Sequence, residues 1–197
     1  MLVIPVFLLK SNMKKDFNIV IVGTGGQGLI TLLQIIAEAA LASGFDVKTS
    51  ELHGLSQRGG SVEVHIRFDK KIYSPLVSQG KADLIIALEM QESLKATYFA
   101  NSKTTFLINK HIIPIPLQKS LSEGQILTAL KKISKKIRVA EASGVTAGVY
   151  LLSLASFKNL IPLSPNSIFR AIKKVIPQQY LEVNKKTFDL AKKHAKT

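Results

Sequence analysis

Phe17-Asn18-Ile19-Val20-Ile21-Val22 is an almost uninterrupted apolar run that breaks at Gly23-Thr24-Gly25-Gly26-Gln27-Gly28 before a second apolar stretch over 29–42. A short run without polar alternation predicts a strand buried on both faces, as in a parallel sheet. The second stretch carries Leu29, Ile30, Leu32, Leu33, Ile35, Ile36 and Leu41, apolar almost all round, which predicts a deeply buried helix stopped by Gly44. Strand, glycine turn and buried helix in that order open an α/β sheet.

Working outward, 46–50 reads as a second strand. From Ser61 the pattern changes, because Val62, Val64, Ile66 and Phe68 alternate with Ser61, Glu63, His65 and Arg67. That period predicts an antiparallel insertion with one polar face, and Asp69-Lys70 could turn the chain into 71–73 as a hairpin. The parallel signature resumes with strands at 83–88, 104–108 and 137–140, separated by helices over 89–100 and 120–134. The remainder is helical: 144–157, a segment opened by Ser164-Pro165 and running to 176, and 178–194. Ile168, Phe169, Ile172, Val175 and Ile176 form one apolar stripe that packs the middle helix on the body. The predicted class is α/β, a three-layer Rossmann-like, mostly parallel sheet with an antiparallel hairpin insertion and a helical C-terminal part. One domain is expected over 13–197, with 1–12 an N-terminal arm or an over-called start ahead of Met13.

The turn fits G-x-G-x-x-G through Gly23, Gly25 and Gly28, where backbone N–H groups and a helix dipole can hold a phosphate. The plainer alternative is that glycines only permit a tight turn and close helix packing. A P-loop is excluded, since Leu29-Ile30 stand where Lys and Ser or Thr would cradle phosphate and magnesium. Glu51, at the end of the second strand, is in register to meet a ribose, which keeps a free-standing NAD- or FAD-binding oxidoreductase as the alternative. It leads, however, into Ser56-Gln57-Arg58-Gly59-Gly60, where a dinucleotide domain would continue into a helix. The Arg58 guanidinium is a planar fork for phosphate or carboxylate, and Gly59-Gly60 permit close approach. Equally, Arg58 could pair internally with Glu51 or Glu63.

Composition narrows the classes. With 197 residues, 46% of them apolar, the chain can bury one substantial core. The 27 Lys plus Arg against 13 Asp plus Glu give a net charge of +14, which favours an acidic protein, a nucleic acid or an anionic cofactor. Paired lysines such as Lys135-Lys136 and Lys192-Lys193 read first as solvated faces. Nucleic-acid binding is the weakest of the three, since no recognisable module or stacking platform accompanies the 4 Tyr, 9 Phe and 0 Trp. The absence of cysteine removes disulfides, thiolate zinc and any conventionally ligated iron-sulfur cluster, and the four histidines lack ligand spacing, so no metal site is expected. The apolar residues 1–9 lack the basic leader and cleavage site of a signal peptide, and no run approaches the ~20 residues of a membrane span. A cytoplasmic protein without membrane contact is expected.

The order strand, Gly-Thr-Gly-Gly-Gln-Gly, apolar helix, strand, Glu-x-x-Gly-x-Ser-Gln-Arg-Gly-Gly-x-Val resembles the gamma-type subunit of 2-oxoacid:ferredoxin oxidoreductases. Within that family the chain is most similar to the smaller (beta) subunit of indolepyruvate ferredoxin oxidoreductase. The residues that carry the likeness are Gly23 to Gly28, Glu51, Gly54, Ser56 to Gly60, Val62 and Arg67, and it extends through Glu89 and Asn109 to Pro114. One departure is Val145-Thr146-Ala147, where the pattern has an asparagine before the helix. The resemblance implies a complex that decarboxylates an aryl 2-oxoacid, forms an acyl-CoA and reduces ferredoxin. Thiamine diphosphate and iron-sulfur clusters would belong to a larger partner subunit, with CoA as substrate and no catalytic residue on this chain. The isolated chain would be inactive, and its self-association into a homodimer stays open. The implied cofactor-binding residues are Gly23, Thr24, Gly25, Gly26, Gln27, Gly28, Glu51, Ser56, Gln57, Arg58, Gly59 and Gly60, expected with Glu89 and Asn109 near the carboxyl edge of one sheet.

Overall fold

The computed structural model of the protein describes residues 16–53, 60–114 and 120–196. The arm over 1–12 and most of the Arg58 loop lie outside them. In chain order the elements are β1 (Phe17–Thr24), α1 (Leu29–Ala42), β2 (Asp46–His53), β3 (Ser61–Asp69), β4 (Leu84–Ala87), α2 (Glu92–Lys95), β5 (Thr105–Asn109), α3 (Glu123–Lys131), β6 (Ile137–Ala140), α4 (Ala147–Phe157), α5 (Pro165–Val175) and α6 (Gln178–Ala195).

Among the described residues, six strands form one sheet in the order β2-β3-β1-β4-β5-β6. β1, β4, β5 and β6 run parallel, while β3 is antiparallel to both β1 and β2. The alternation along β1 separates two cores. Ile19 and Ile21 face α1, α4, α5 and α6, together with Val62, Val64, Ile66 and Phe68 of β3. Val20 and Val22 face the other side, with Ile85, Phe106 and Ile108 and with Ile126 and Leu130 of α3. Both faces of the central strands are therefore dry, which is why they read as continuous apolar runs. Ile168 and Ile172 of α5 are fully buried, with Phe169 and Val175 packed at the margin, so the predicted stripe does face the body.

Three expectations change. Residues 71–73 form no strand, and the partners of β3 are β1 and β2. The helix expected over 89–100 contracts to α2 plus a 3₁₀ turn at Ala96–Phe99. Its start is delayed because the buried Glu89 carboxylate accepts the N–H of Glu92 at 2.8 Å, so the chain enters the helix only there. The helix expected from 120 begins at Glu123, set by a capping box in which Ser122 accepts from the Gln125 N–H and the Gln125 side chain returns to the Ser122 N–H.

Candidate functional site

A hollow of about 570 Å³ opens at the carboxyl ends of β1, β4 and β5, between the glycine turn and the segments following β5 and β6. Thr24, Gly25, Gly26 and Gln27 form one wall, and Asn109, Lys110, His111 and Ser143 stand opposite. This is the crevice where open α/β sheets take their ligands.

The turn is built from backbone requirements. Gly26 (φ 96°) and Gly28 (φ 79°) are left-handed, where a Cβ collides with the following carbonyl. Gly23 is needed for space: a Cβ there would lie 2.6 Å from Gln27 Oε1 and 3.2 Å from Leu88 Cβ. Gln27 closes the loop by accepting the Thr24 N–H at 2.8 Å. The Gly25 N–H donates to the Gly60 carbonyl at 2.9 Å and the Gln27 N–H to the Thr24 carbonyl at 3.2 Å, so three of the turn's donors are spent inside the protein. Those of Gly26 and Gly28 have no acceptor among the described residues. Gly28 caps α1 without a side-chain bond, and no acid lies in the helix's first turn. Gly26 lines the hollow with an N–H that has no acceptor among the described residues, and Gly28 and the positive end of the α1 dipole follow directly in the chain, a setting for an anion.

A buried polar ring holds the far wall. Asn109, 3% exposed, accepts the Ala142 N–H at 2.9 Å and donates to the Leu88 carbonyl at 3.3 Å, tying together the chain after β4 and after β6. Its amide is thus consumed in bracing the hollow. Glu89, 2% exposed, accepts the N–H groups of Glu92 and Ile113 at 2.8 and 3.1 Å and fixes the segment that carries His111. Glu92 in turn pairs with Lys95 at 2.7 Å and accepts from Ser61, which lies opposite Thr24 across β3 and β1. Lys110 stands at the rim, 3.6 Å from Glu123.

A family model described as pyruvate ferredoxin/flavodoxin oxidoreductase matches residues 18–194. The chain belongs to that family. Among relatives in it, the indolepyruvate oxidoreductase subunit IorB of Thermococcus kodakarensis is 33% identical over 92% of this chain and 97% of that one. IorB of Archaeoglobus fulgidus is 33% identical over 88% of this chain and 92% of its own. The fold is similar to the gamma subunit of a keto/oxoacid ferredoxin oxidoreductase from Geobacter sulfurreducens, with a TM-score of 0.62 and 18% identity over 91% of this chain and 98% of that one. It is also similar to part of the 2-oxoglutarate:ferredoxin oxidoreductase of Magnetococcus marinus, solved with 2-oxoglutarate, coenzyme A and succinyl-CoA bound. There the TM-score is 0.67 at 20% identity, covering 92% of this chain and 31% of that one.

The residues singled out from sequence divide on this family fold. The glycine turn, Gly60 and Asn109 come together, and Glu89 lies just behind the hollow. Glu51 does not join them. It is exposed on the edge strand β2, opposite Val64. Because β3 intervenes, it is displaced from β1 by two strand spacings, roughly 10 Å. Ser56, Gln57, Arg58 and Gly59 fall outside the described residues. The polar face of β3 is used internally. Glu63 accepts from His65 Nε2 at 2.8 Å while His65 Nδ1 accepts the Val77 N–H at 2.9 Å. Arg67 donates to Asn18 at 2.7 Å and to the Ser74 carbonyl at 2.8 Å and pairs with Asp16. Lys110, His111 and Ser143 were missed as individual residues. Lys110 and His111 lay within the Asn109 to Pro114 stretch of the resemblance, and Ser143 carried only its position just past a parallel strand.

Proposed function

We propose that this chain is the small, cluster-free subunit of a cytoplasmic complex that oxidatively decarboxylates an arylpyruvate, indolepyruvate foremost, forming an acyl-CoA and passing the electrons to ferredoxin. The observation that carries this reading is the end-to-end match to IorB subunits, 92% of this chain against 97% of the relative. Thiamine diphosphate on the larger partner would stabilise the carbanion left by decarboxylation, and clusters there would carry the electrons. The chain's 0 Cys agrees with that division, since it offers no thiolate for a cluster.

This chain's share is to hold an anionic portion of CoA. Gly26 lines a hollow with Lys110 at its rim, and Gly28 and the α1 N-terminus follow it directly in the chain. The stretch Ser56, Gln57, Arg58 and Gly59 leads into Gly60, which is bonded to Gly25, so Arg58 is proposed to close over the same ligand or to grip the partner. The NAD alternative loses its main support, because the acid it needs beside the first strand is held away by β3. A Gly26→Val variant tests the assignment, since it places a β-branched residue at φ 96°. In the reconstituted complex the CoA concentration for half-maximal rate should rise about tenfold or more while subunit assembly persists. An unchanged CoA requirement would reduce the turn to scaffolding.

A further inference from the structure

The amino-terminal ends of β1, β4, β5 and β6 border a second hollow, of about 740 Å³, at the opposite end of the sheet. Lys103, Lys135, Lys136 and Arg138 rim it, all four exposed. Five lysines elsewhere, Lys48, Lys95, Lys110, Lys174 and Lys185, each form an ion pair, while others such as Lys131 and Lys192 have none among the described residues, so what sets this rim apart is four cations gathered around one hollow. Among the described residues none of the four rim cations has a side-chain partner. The acid in the lining, Asp83, already accepts the Asn18 N–H at 2.9 Å.

The fold anchors the backbone that carries this charge. The buried Ser134 hydroxyl donates to the Thr104 carbonyl at 2.7 Å and accepts the Lys136 N–H at 3.1 Å, and the Lys136 carbonyl accepts from Phe106 at 2.8 Å. Lys136 thus leaves a backbone anchored on both sides, with Lys135 and Arg138 beside it. Clustered like charges raise the energy of the free protein, and an oppositely charged partner relieves that cost.

A compact phosphate site would need backbone donors. Here the N–H groups of Thr105, Phe106 and Lys136 are all spent within the protein. Nor is there a stacking platform for bases, because Phe17 packs on Phe68 with ring centroids 5.5 Å apart. Lysines dispersed around an open hollow suit separate carboxylates on a broad surface. We propose that this sheet end is a docking surface for an acidic partner protein, whose Asp and Glu side chains pair with Lys103, Lys135, Lys136 and Arg138. The site lies at the other end of the strands from the glycine turn, so docking leaves the ligand hollow open. The assignment does not depend on the identity of that ligand.

The test uses the full chain, an oligo-glutamate peptide, and a single-stranded oligonucleotide of equal charge. A groove variant, K103E/K136E/R138E, is compared with a control of identical net charge on α6, K186E/K192E/K193E, and with the neutral set K103Q/K136Q/R138Q, each checked for folding by circular dichroism. The expected result is a loss of about tenfold or more in peptide affinity for the groove variant, a smaller loss for the neutral set, and a change within about twofold for the control, with salt weakening the wild type. Equal losses in groove and control variants would overturn the proposal by reducing the effect to net charge. Absence of peptide binding at low salt would overturn it as well, as would tighter binding of the oligonucleotide at the same residues.

Discussion

Gly23 and Gln27 depend on each other. The side-chain oxygen that closes the turn on the Thr24 N–H occupies the space a Gly23 Cβ would need, 2.6 Å away. Any side chain at 23 expels Gln27 and frees the donor it satisfies. Another local dependence is electrostatic. The Asp46 carboxyl is held below its ordinary value of 3.8, chiefly by accepting the Ile72 N–H and then by Lys48. A carboxylate with a lowered folded-state value stabilises the fold above its unfolded value and loses that contribution as the pH falls through the lower one. Asp46→Asn should therefore be less stable than wild type at neutral pH, and the gap should close as acid is added below 3.8. Urea midpoints at stepped pH check this; a gap constant from neutral to strongly acidic pH would show that the carboxylate's charge is not what stabilises the segment.

At the scale of elements, α1 and α4 approach so closely that a side chain at Gly148 would crowd Leu32. A Cβ there would meet Leu32 Cδ1 at 2.9 Å and Cγ at 3.0 Å, so the buried Leu32 side chain, 1% exposed, would have to shift. Gly148→Ala should cost about 1–3 kcal/mol, read from denaturant midpoints, and a neutral effect would mean that the helices can slide apart. Elements with a strong pattern were legible in the chain itself. β1, α1 and β4 announce themselves by unbroken apolar runs, and α5 by its stripe. The partners of β3 were not legible, because alternation states that one face is buried without saying against which strands. The starts of α2 and α3 depended on Glu89 accepting the Glu92 N–H and on the Ser122 cap, a matter of side-chain geometry more than periodicity. The same limit applied to the site. Glycine spacing located the turn, but which N–H groups remain free depends on Gly60 and Gln27 acceptors supplied across the fold.

For the whole molecule, the fold separates two surfaces: a ligand hollow at the carboxyl ends of the parallel strands, and a basic hollow at their amino ends. On the function proposed above, a subunit of this build would contribute donors and a binding wall, with the redox groups on its partner. The most direct test is to co-express the chain with a larger, cysteine-rich oxidoreductase subunit and measure viologen reduction with indolepyruvate and CoA. The account predicts that the larger subunit alone and this chain alone are both inactive, that the isolated chain is colourless and iron-free, and that the pair turns over only when both substrates are present. Full activity of the larger subunit without this chain would contradict it, as would reduction of NAD by this chain alone.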